Sequence, residues 1–290
     1  MSTDVCVSGL VAKARDAAQH AWSPYSGLKS GAALLGASGR VYCGANVEIA
    51  GSTASCCAAR VAVITALISG ERAFAAIAAT GDLPGSSAVL CGVCRQTLAE
   101  FCQPETPVYL AGADSFRKVS VDMLLPEWNF IPPRWPELEP PGSELTAPVV
   151  FSGGPPDLIH LAFEGRRRCY APYSNYYVGA ALLAKSGRVY IGGNIESAGR
   201  TPAVCAERSA LFQAVYAGER EFQSIAVVGG LRGTAPEGFV HANPCAVCRQ
   251  ALAEFDGGEM KFYLVRTAED YLTRTLEDIL PHAFRITSYA

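Results

Sequence analysis

The chain has 290 residues, of which half are apolar and 18% are charged. This balance is typical of a globular protein and argues against an intrinsically disordered chain. The length predicts roughly two domains of about 150 residues each. Lysine and arginine total 24 against 27 for aspartate and glutamate, a net charge of −3. The composition therefore lacks the basic excess that is usual in polynucleotide-binding proteins.

The apolar stretches and the cysteine content point to the cytoplasm. The longest apolar stretches are far shorter than the ~20 residues of a membrane-spanning helix. The first residues also lack the basic start and apolar core of a secretion signal. We therefore expect a soluble, cytoplasmic protein with no membrane partner. Eleven cysteines are an odd number, which fits poorly with a closed set of disulfides, so clustered cysteines more often bind metal or carry out chemistry.

The predicted elements of the first half alternate between helix and strand. An opening helix is predicted over residues 5–21, and two β-rich runs flank a Ser-Gly-Arg turn in residues 31–48, as in a hairpin. A helical segment over 57–69 ends at glycine. A strand at 74–80, a helix beginning at a Cys-x-x-Cys motif and a strand at 107–111 follow. This alternation predicts an α/β layered fold with a mixed sheet.

The second half repeats the first at a near-constant offset. The tripeptide PYS at 24–26 returns at 172–174, which is 148 residues later. The segment CGVCRQTLAEF at 91–101 returns as CAVCRQALAEF at 245–255, which is 154 residues later. Because this period far exceeds the 20–50 residues of solenoid repeats, we interpret it as a tandem duplication of a whole domain.

A proline-rich stretch separates the two copies. Residues 127–156 contain eight prolines and no periodic pattern, which predicts an extended connector rather than a helix. The predicted domains are therefore residues 1–126 and 157–290. In the second domain, helices are predicted over 157–169 and 205–217.

Three cysteines of the second copy form the strongest candidate site. The pair Cys245 and Cys248 places two thiolates at the first turn of a helix, and Cys205 stands at the start of another. Three protein ligands and an open fourth position are typical of catalytic zinc, whereas structural zinc sites usually have four ligands. Thiolates also favour zinc over harder cations. The alternatives are reduced core cysteines or a closed structural zinc site.

Charged residues beside these cysteines support a catalytic site. Three thiolates on Zn²⁺ leave a net charge of −1, which Arg208, Arg249 and the positive ends of two helices are placed to offset. Glu207 follows Cys205 by two residues, too closely for a convenient fourth ligand. It is well placed to handle protons beside the metal. The alternative is an ordinary helix glutamate.

These motifs resemble the cytidine deaminase family of zinc-dependent nucleoside enzymes. The matching residues are Cys-Ala-Glu at 205–207 and Pro-Cys-Ala-Val-Cys at 244–248, the three-cysteine form of the zinc deaminase signature. The resemblance extends through APYSNYYVGAALL and GGNIE, and it covers nearly all of both copies except the connector. It implies two tandem three-layer α/β/α domains. It also implies hydrolytic deamination of cytidine and 2′-deoxycytidine to uridine and 2′-deoxyuridine in pyrimidine salvage.

The resemblance further implies roles for individual residues. Glu207 would carry a proton from water to N3 of the pyrimidine and then help ammonia to leave. Asn194 and Glu196 would bind the ribose 3′-hydroxyl, Tyr176 would pack beside the nucleoside, and the backbone of Ala206 would meet the exocyclic amine. From the residues alone, Asn194 and Glu196 could instead cap a strand, and Tyr176 could be a core aromatic.

The first copy keeps its cysteines but lacks the acid. Cys57, Cys91 and Cys94 form a candidate second zinc site, whereas Ala59 stands where the second copy has Glu207. A methyl group cannot shuttle protons, and loss of a positioned acid–base group typically costs about 10²–10⁴-fold in rate. We therefore predict a non-catalytic domain that retains zinc for structural reasons.

Further substitutions accompany Ala59. Leu28 replaces the aromatic residue, Leu90 replaces the proline before Cys-x-x-Cys, and Lys29-Ser30 interrupts the apolar run. These changes favour natural decay of the first copy. A single introduced change from glutamate to alanine is the alternative explanation for Ala59.

The resemblance also implies an assembly and leaves one substrate question open. Related enzymes of half this length are generally tetramers, so a homodimer of this chain would form a four-domain assembly with two working sites. Phe130 and Phe284 map to an aromatic residue that reaches a neighbouring active site, although packing within their own domains is the alternative. Arg200 and Ser52 replace a loop tyrosine directed toward the ribose 5′ end. Arg200 is either a solvated charge or a contact for a 5′-phosphate.

Two other functions stay open beside nucleoside deamination. One is a deaminase of a related aminopyrimidine nucleotide or antibiotic, and the other is a non-catalytic zinc-bearing binding protein. Glu207 argues against the second for the intact copy. Editing of nucleic acid is disfavoured because a polynucleotide substrate needs a cationic track and stacking platforms.

Overall fold

The computed structural model of the chain describes residues 7–81, 88–112, 115–127, 149–150 and 154–286. The chain forms two compact units, each built mainly from one sequence repeat. Unit 1 takes in the described residues of Met1–Glu48, Cys56–Pro133 and Ser197–Pro202. Unit 2 takes in those of Ile49–Ser55, Arg134–Glu196 and Ala203–Ala290. One short segment of each repeat therefore belongs to the other repeat's unit.

Unit 1 has a five-stranded mixed sheet in the order β2-β1-β3-β4-β5. Its strands are β1 (Ser30–Gly36), β2 (Val41–Ala45), β3 (Phe74–Gly81), β4 (Pro107–Ala111) and β5 (Phe116–Ser120). Its described helices are α1 (Val7–Ala18), α2 (Ala58–Ile68), α3 (Gly92–Phe101) and the single turn α4 (Val121–Leu124). Strands β3 and β4 pair in parallel, while β1 pairs antiparallel with both β2 and β3.

Unit 2 has a six-stranded sheet in the order β11-β10-β9-β7-β8-β6. Its strands are β6 (Val149–Val150), β7 (Tyr176–Ala184), β8 (Arg188–Gly193), β9 (Phe222–Leu231), β10 (Lys261–Val265) and β11 (Tyr271–Thr275). Its described helices are α5 (Pro155–Arg167), α6 (Ala206–Tyr216), α7 (Ala246–Ala253) and the single turn α8 (Leu276–Ile279). Strands β9 and β10 pair in parallel.

Helices cover both faces of each sheet. In unit 1, buried Leu10 and Ala14 of α1 pack against Ala33 and Leu35 on one face of β1. Helix α2 packs on the opposite face of β1 and β2. In unit 2, α5 and α6 take the corresponding positions on β7 and β8. These layers confirm the predicted fold class of two tandem α/β/α domains, each with a mixed sheet.

The helices lie so close to the central hairpin of unit 2 that glycine is required beneath them. A Cβ atom at Gly179 would lie 2.0 Å from the carbonyl oxygen of Ala162 in α5. A Cβ atom at Gly192 would lie 2.0 Å from the carbonyl oxygen of Ala206 in α6. Because Cys205 immediately precedes α6, the close approach of Ala206 to Gly192 fixes where the candidate site lies on the sheet.

Replacing Gly192 with alanine is therefore expected to destabilise the protein by about 3 kcal/mol, the upper end for overpacking, because the added methyl group meets backbone. The matched control is Gly257→Ala, where an added Cβ meets nothing within 4 Å and the change should stay within about 0.5 kcal/mol. Urea unfolding followed by circular dichroism measures both variants. Equal unfolding midpoints for the two would contradict the close packing of α6.

Helix α5 begins two residues earlier than predicted, and three described strands, β5, β6 and β11, were not predicted. Helix α5 includes Pro155 and Pro156 because the first helical turn does not require backbone N–H donors. Strands β5 and β11 lie at sheet edges and carry mostly solvent-facing residues. They therefore lack the apolar alternation that identifies a strand in a sequence.

Phe130 and most of the predicted connector 127–156 lie outside the described residues. The described part of that stretch includes β6, which pairs antiparallel with β8. The predicted division at residues 1–126, 127–156 and 157–290 stays a prediction. None of the described helices has both the length and the apolar character needed to cross a membrane.

Candidate metal centre and active site

The candidate site of the second copy is built where two helices begin. Cys205 is the N-cap residue of α6 and Cys245 is the N-cap residue of α7, and both have extended backbone. Cys248 lies one turn into α7 and is fully buried. The N-terminus of a helix carries free N–H donors and the positive end of the helix dipole. Both helix ends therefore favour negative charge on the thiols.

The three thiols lie at the separations that a tetrahedral metal requires. The Sγ atoms of Cys205 and Cys245 are 3.8 Å apart, and those of Cys245 and Cys248 are 3.5 Å apart. Two thiolates at ~2.3 Å from a tetrahedral zinc lie about 3.8 Å apart. The donor set, all sulfur, also suits zinc better than a hard cation. The residues present therefore fit a zinc ion with three protein ligands.

The cluster holds negative charge unevenly before a metal binds. Hydrogen bonding with the thiols of Cys205 and Cys248 lowers the pKa of Cys245. Hydrogen bonding with Cys205 and Cys245, together with burial, raises the pKa of Cys248. All three sulfurs must be deprotonated to bind zinc, so metal binding releases protons.

The two arginines predicted to offset this charge have different partners. Burial lowers the pKa of Arg208, but the thiolates of Cys248 and Cys205 outweigh this effect and raise it. Arg249 instead donates from Nε to the carbonyl oxygen of Pro244 at 2.7 Å and from Nη1 to that of Ile279. Arg249 therefore fixes the loop before α7, and Arg208 is the cation that balances the cluster.

Glu207 lies in the first turn of α6 and is only 3% exposed. Its Oε2 atom is buried and has no hydrogen-bond partner among the described residues. Burial raises the pKa of this carboxyl group to about 7. Buried polar atoms are nearly always hydrogen-bonded, and an exception needs an explanation. At this position, next to three thiols, the free oxygen is available to a molecule that enters the site.

Asn194 and Glu196 lie just after β8 and organise the turn before β7. Asn194 Oδ1 accepts from the backbone N–H of Val178 at 2.9 Å, and its Nδ2 donates to the carbonyl oxygen of Tyr176 at 3.0 Å. Glu196 Oε1 accepts from the Ser174 hydroxyl at 2.5 Å. Its Oε2 accepts from the backbone N–H of Tyr173 at 2.9 Å and of Ser174 at 3.2 Å.

Ser174 was not singled out from the sequence, although the repeat contained a signal for it. The tripeptide PYS occurs in both copies, and its serine binds Glu48 in the first copy and Glu196 in the second. The available evidence was a serine that recurs in a turn and a glutamate that recurs 22 residues after it in both copies.

The remaining predicted residues of the second copy lie near this turn and this helix. Tyr176 is the first residue of β7 and is 36% exposed, so it is not a core aromatic. Ala206 is the first residue of α6 and is fully buried. Phe284 has an exposed side chain, and its carbonyl oxygen accepts from Gln250 Nε2 at 2.8 Å.

Arg200 belongs to unit 1, whereas Cys205 belongs to unit 2. The segment Ser197–Pro202 packs in unit 1, where the Glu100 carboxylate accepts from the backbone N–H of Ala198 at 3.2 Å. The reciprocal segment Ile49–Ser55, which contains Ser52, packs in unit 2. A sequence alignment of the two copies does not show this exchange.

The first copy brings together the three cysteines predicted for a second metal site. The Sγ atoms of Cys57 and Cys91 are 3.8 Å apart, and those of Cys91 and Cys94 are 3.5 Å apart. Ala59 is buried in the first turn of α2, at the position of Glu207 in α6. The described residues of the chain thus hold two clusters of three thiols, each with all its sulfur atoms within 4.8 Å of one another.

Comparison with known proteins identifies the family. The profile of the cytidine and deoxycytidylate deaminase zinc-binding region matches residues 156–264, and a second profile of the same description matches residues 1–80. A cytidine deaminase of Sporosarcina psychrophila is 42% identical over 127 residues, covering 44% of this chain and 88% of the relative. A cytidine deaminase of Halalkalibacterium halodurans is also 42% identical over 127 residues, covering 44% of this chain and 91% of the relative.

A solved structure of cytidine deaminase from Burkholderia pseudomallei is 39% identical to the part of the chain that it matches. It covers 46% of this chain and all of its own, with a TM-score of 0.40. The family profiles and the two 42% identical relatives confirm the enzyme class predicted from the sequence, and the thiol clusters together with the zinc-binding profiles confirm the predicted cofactor. The chain belongs to the cytidine deaminase family.

Proposed function

We propose that this protein hydrolyses cytidine and 2′-deoxycytidine to uridine and 2′-deoxyuridine with release of ammonia, and that the second copy is the working site. The observation that carries the proposal is the free, buried Oε2 of Glu207 beside the three thiols. A buried acceptor without a partner costs free energy. That cost is offset when water and substrate supply the missing hydrogen bonds.

The chemistry follows from the groups placed around this oxygen. Cys205, Cys245 and Cys248 would hold zinc, which supplies the Lewis acidity that makes a water nucleophilic near neutral pH. Glu207 would take a proton from the attacking water at its free Oε2, deliver it to N3 of the pyrimidine, and then assist protonation of the leaving amine. In the balanced reaction the oxygen of water becomes the C4 carbonyl, the C4–N bond breaks, and ammonia leaves.

Asn194 and Glu196 are suited to hold a sugar hydroxyl. Among the described residues Asn194 uses one of its two amide N–H groups, so one donor remains. Glu196 accepts three hydrogen bonds, and a carboxylate offers about four acceptor positions. A hydroxyl group donates one hydrogen bond and accepts others, so a donor beside an acceptor matches it. We therefore assign the ribose 3′-hydroxyl to this pair.

Tyr176 and Ala206 complete the proposed nucleoside site. The tyrosine is exposed at the start of β7, and its carbonyl oxygen accepts from Asn194. We assign its ring to packing against the nucleoside. The backbone of Ala206 lies between Cys205 and Glu207 and would meet the exocyclic amine. The first copy, with Ala59, is assigned no hydrolytic role.

A nucleoside is the proposed substrate, and a nucleotide stays the alternative. Arg200 is predicted to be either a solvated charge or a contact for a 5′-phosphate, and its segment Ser197–Pro202 belongs to unit 1. The place in pyrimidine salvage, the homodimer of four domains and the reach of Phe130 into a neighbouring site remain predictions of the family resemblance. The cytoplasmic location remains a prediction from the apolar stretches and the cysteine content.

Spectrophotometric deamination assays on cytidine, 2′-deoxycytidine and 2′-deoxycytidine monophosphate test the proposal. We expect both nucleosides to be deaminated with kcat/KM values within about tenfold of each other, because the 3′-hydroxyl is common to both. The monophosphate tests the alternative, because a contact between Arg200 and its 5′-phosphate would give it the highest kcat/KM of the three compounds. Turnover of the monophosphate alone would overturn the assignment. Turnover of single-stranded nucleic acid that falls steeply with salt would indicate a polymer substrate instead.

A further inference from the structure

The first copy keeps the metal-binding geometry of the second copy despite the loss of its acid. Cys57 and Cys91 are the N-cap residues of α2 and α3, with extended backbone like their counterparts in the second copy. In both copies the first cysteine is half-buried, the second is exposed and the third is buried. The three thiols therefore present the same donor set in the same environment, and Ala59 does not disturb it.

The first copy also keeps the polar pair that follows β2. Asn46 Oδ1 accepts from the backbone N–H of Ser30 at 2.8 Å, and its Nδ2 donates to the carbonyl oxygen of Leu28 at 3.0 Å. Glu48 accepts from the Ser26 hydroxyl at 2.5 Å and from the backbone N–H groups of Tyr25 and Ser26 at 3.0 and 3.1 Å. One amide N–H of Asn46 and about one acceptor position of Glu48 remain for a ligand hydroxyl.

The other substitutions of the first copy are accommodated without rearranging the site. Leu90 replaces the proline before the Cys-x-x-Cys motif, yet its carbonyl oxygen still accepts from Arg95 Nε at 2.8 Å. Leu28 stands where the second copy has Tyr176, and its carbonyl oxygen accepts the same asparagine hydrogen bond. Its side chain is 48% exposed, so an apolar surface remains available at this position.

What the first copy lacks is the group that moves protons. Ala59 is buried, with 3% of its surface exposed, where the second copy has the equally buried Glu207. A hydroxyl-binding pair and a metal determine whether a ligand binds, whereas the missing carboxylate determines whether a proton is transferred. Binding and hydrolysis are therefore separable in this copy.

We infer that Cys57, Cys91 and Cys94, together with Asn46 and Glu48, form a second site that holds zinc and binds a pyrimidine nucleoside without hydrolysing it. This inference rests on the proposed function, because the ligand class is taken from the matching site of the second copy. Each chain would then bind two nucleosides and convert one of them.

Isothermal titration of cytidine into the zinc-loaded full-length Glu207→Gln variant tests the inference, because this variant should bind substrate without consuming it. We expect two nucleosides per chain. Adding Glu48→Gln should weaken one of the two sites at least about tenfold, since a hydrogen bond to a charged acceptor becomes a neutral one. Adding Glu196→Gln, the matched change in the second copy, should weaken the other. One nucleoside per chain that responds to Glu196→Gln and not to Glu48→Gln would overturn the inference.

Zinc content provides a second readout that does not depend on turnover. Plasma mass spectrometry should find two zinc ions per chain, falling to one in Cys94→Ser and to one in Cys248→Ser. A single zinc that persists in Cys94→Ser would overturn the inference as well. Failure of the proposed function is distinguishable, since it would appear as absence of nucleoside turnover by the unmodified protein.

Discussion

Replacing Glu207 with glutamine is expected to lower kcat for cytidine by about 10²–10⁴-fold or more, because an amide cannot accept and return the proton at Oε2. The side chain keeps its size, and the zinc content should not change. The unfolding midpoint should be equal or higher, since a buried carboxyl group with a free oxygen is replaced by a neutral amide. Steady-state deamination assays, zinc analysis and thermal unfolding measure the three effects.

Glu221→Gln is the matched control for this variant. Glu221 is an exposed glutamate that pairs with Lys185 at 3.6 Å on the surface of unit 2, where an ion pair contributes little. The deaminase activity of the Glu221→Gln variant should equal that of the unmodified protein. Substantial activity surviving in Glu207→Gln would show that the working site lies elsewhere and would contradict the assignment of the second copy.

Replacing Cys248 with serine is expected to remove the zinc of the second copy and to lower activity at least about 100-fold. Loss of a group that only supports a ligand already costs 10–100-fold in affinity or activity, and the serine hydroxyl is a poor ligand for zinc. Because zinc binding contributes to folding free energy, unit 2 should also unfold at a lower temperature. Zinc analysis, activity and differential scanning calorimetry provide the readouts.

Cys43→Ser is the matched control, because Cys43 is half-buried in β2 and lies outside both clusters. This variant should keep both zinc ions and its activity. Treatment of the unmodified protein with a chelator should reproduce the loss of activity, and added zinc should restore it. Full activity of Cys248→Ser at one zinc per chain would show that this cluster is not the working metal centre.

The duplication made most of the site predictable from the sequence. Because the two copies share their motifs, their alignment singled out the three cysteines of each copy and the asparagine and glutamate that follow β2 and β8. It also showed that the second copy has Glu207 where the first has Ala59. The central hairpin was also predictable, because two β-rich runs flank a turn. The two site helices were predictable from helical composition and from the Cys-x-x-Cys motif at which the second one begins. The N-caps Cys205 and Cys245 then place the thiols at helix ends.

Other features depend on contacts that a sequence pattern does not express. The edge strands β5 and β11 are held by backbone pairing with β4 and β10 rather than by apolar alternation. Arg249 donates to the backbone carbonyl oxygens of Pro244 and Ile279. The sequence does not show that Ile279 lies near Arg249 in the fold. The sequence likewise does not show that the buried Oε2 of Glu207 has no hydrogen-bond partner among the described residues.

The exchange of short segments between the units limits how this gene can be shortened. A product that contained only the second repeat would lack Ile49–Ser55, and Glu254 Oε2 would lose the backbone N–H of Ala50 that it accepts at 3.0 Å. A product that contained only the first repeat would lack Ser197–Pro202, and buried Arg60 would lose the carbonyl oxygen of Pro202 at 3.1 Å. Deletion of the copy that has lost its acid is therefore not neutral for the copy that keeps it. Each repeat therefore supplies a segment that the other repeat's unit contains, even though Glu207 occurs in only one of them.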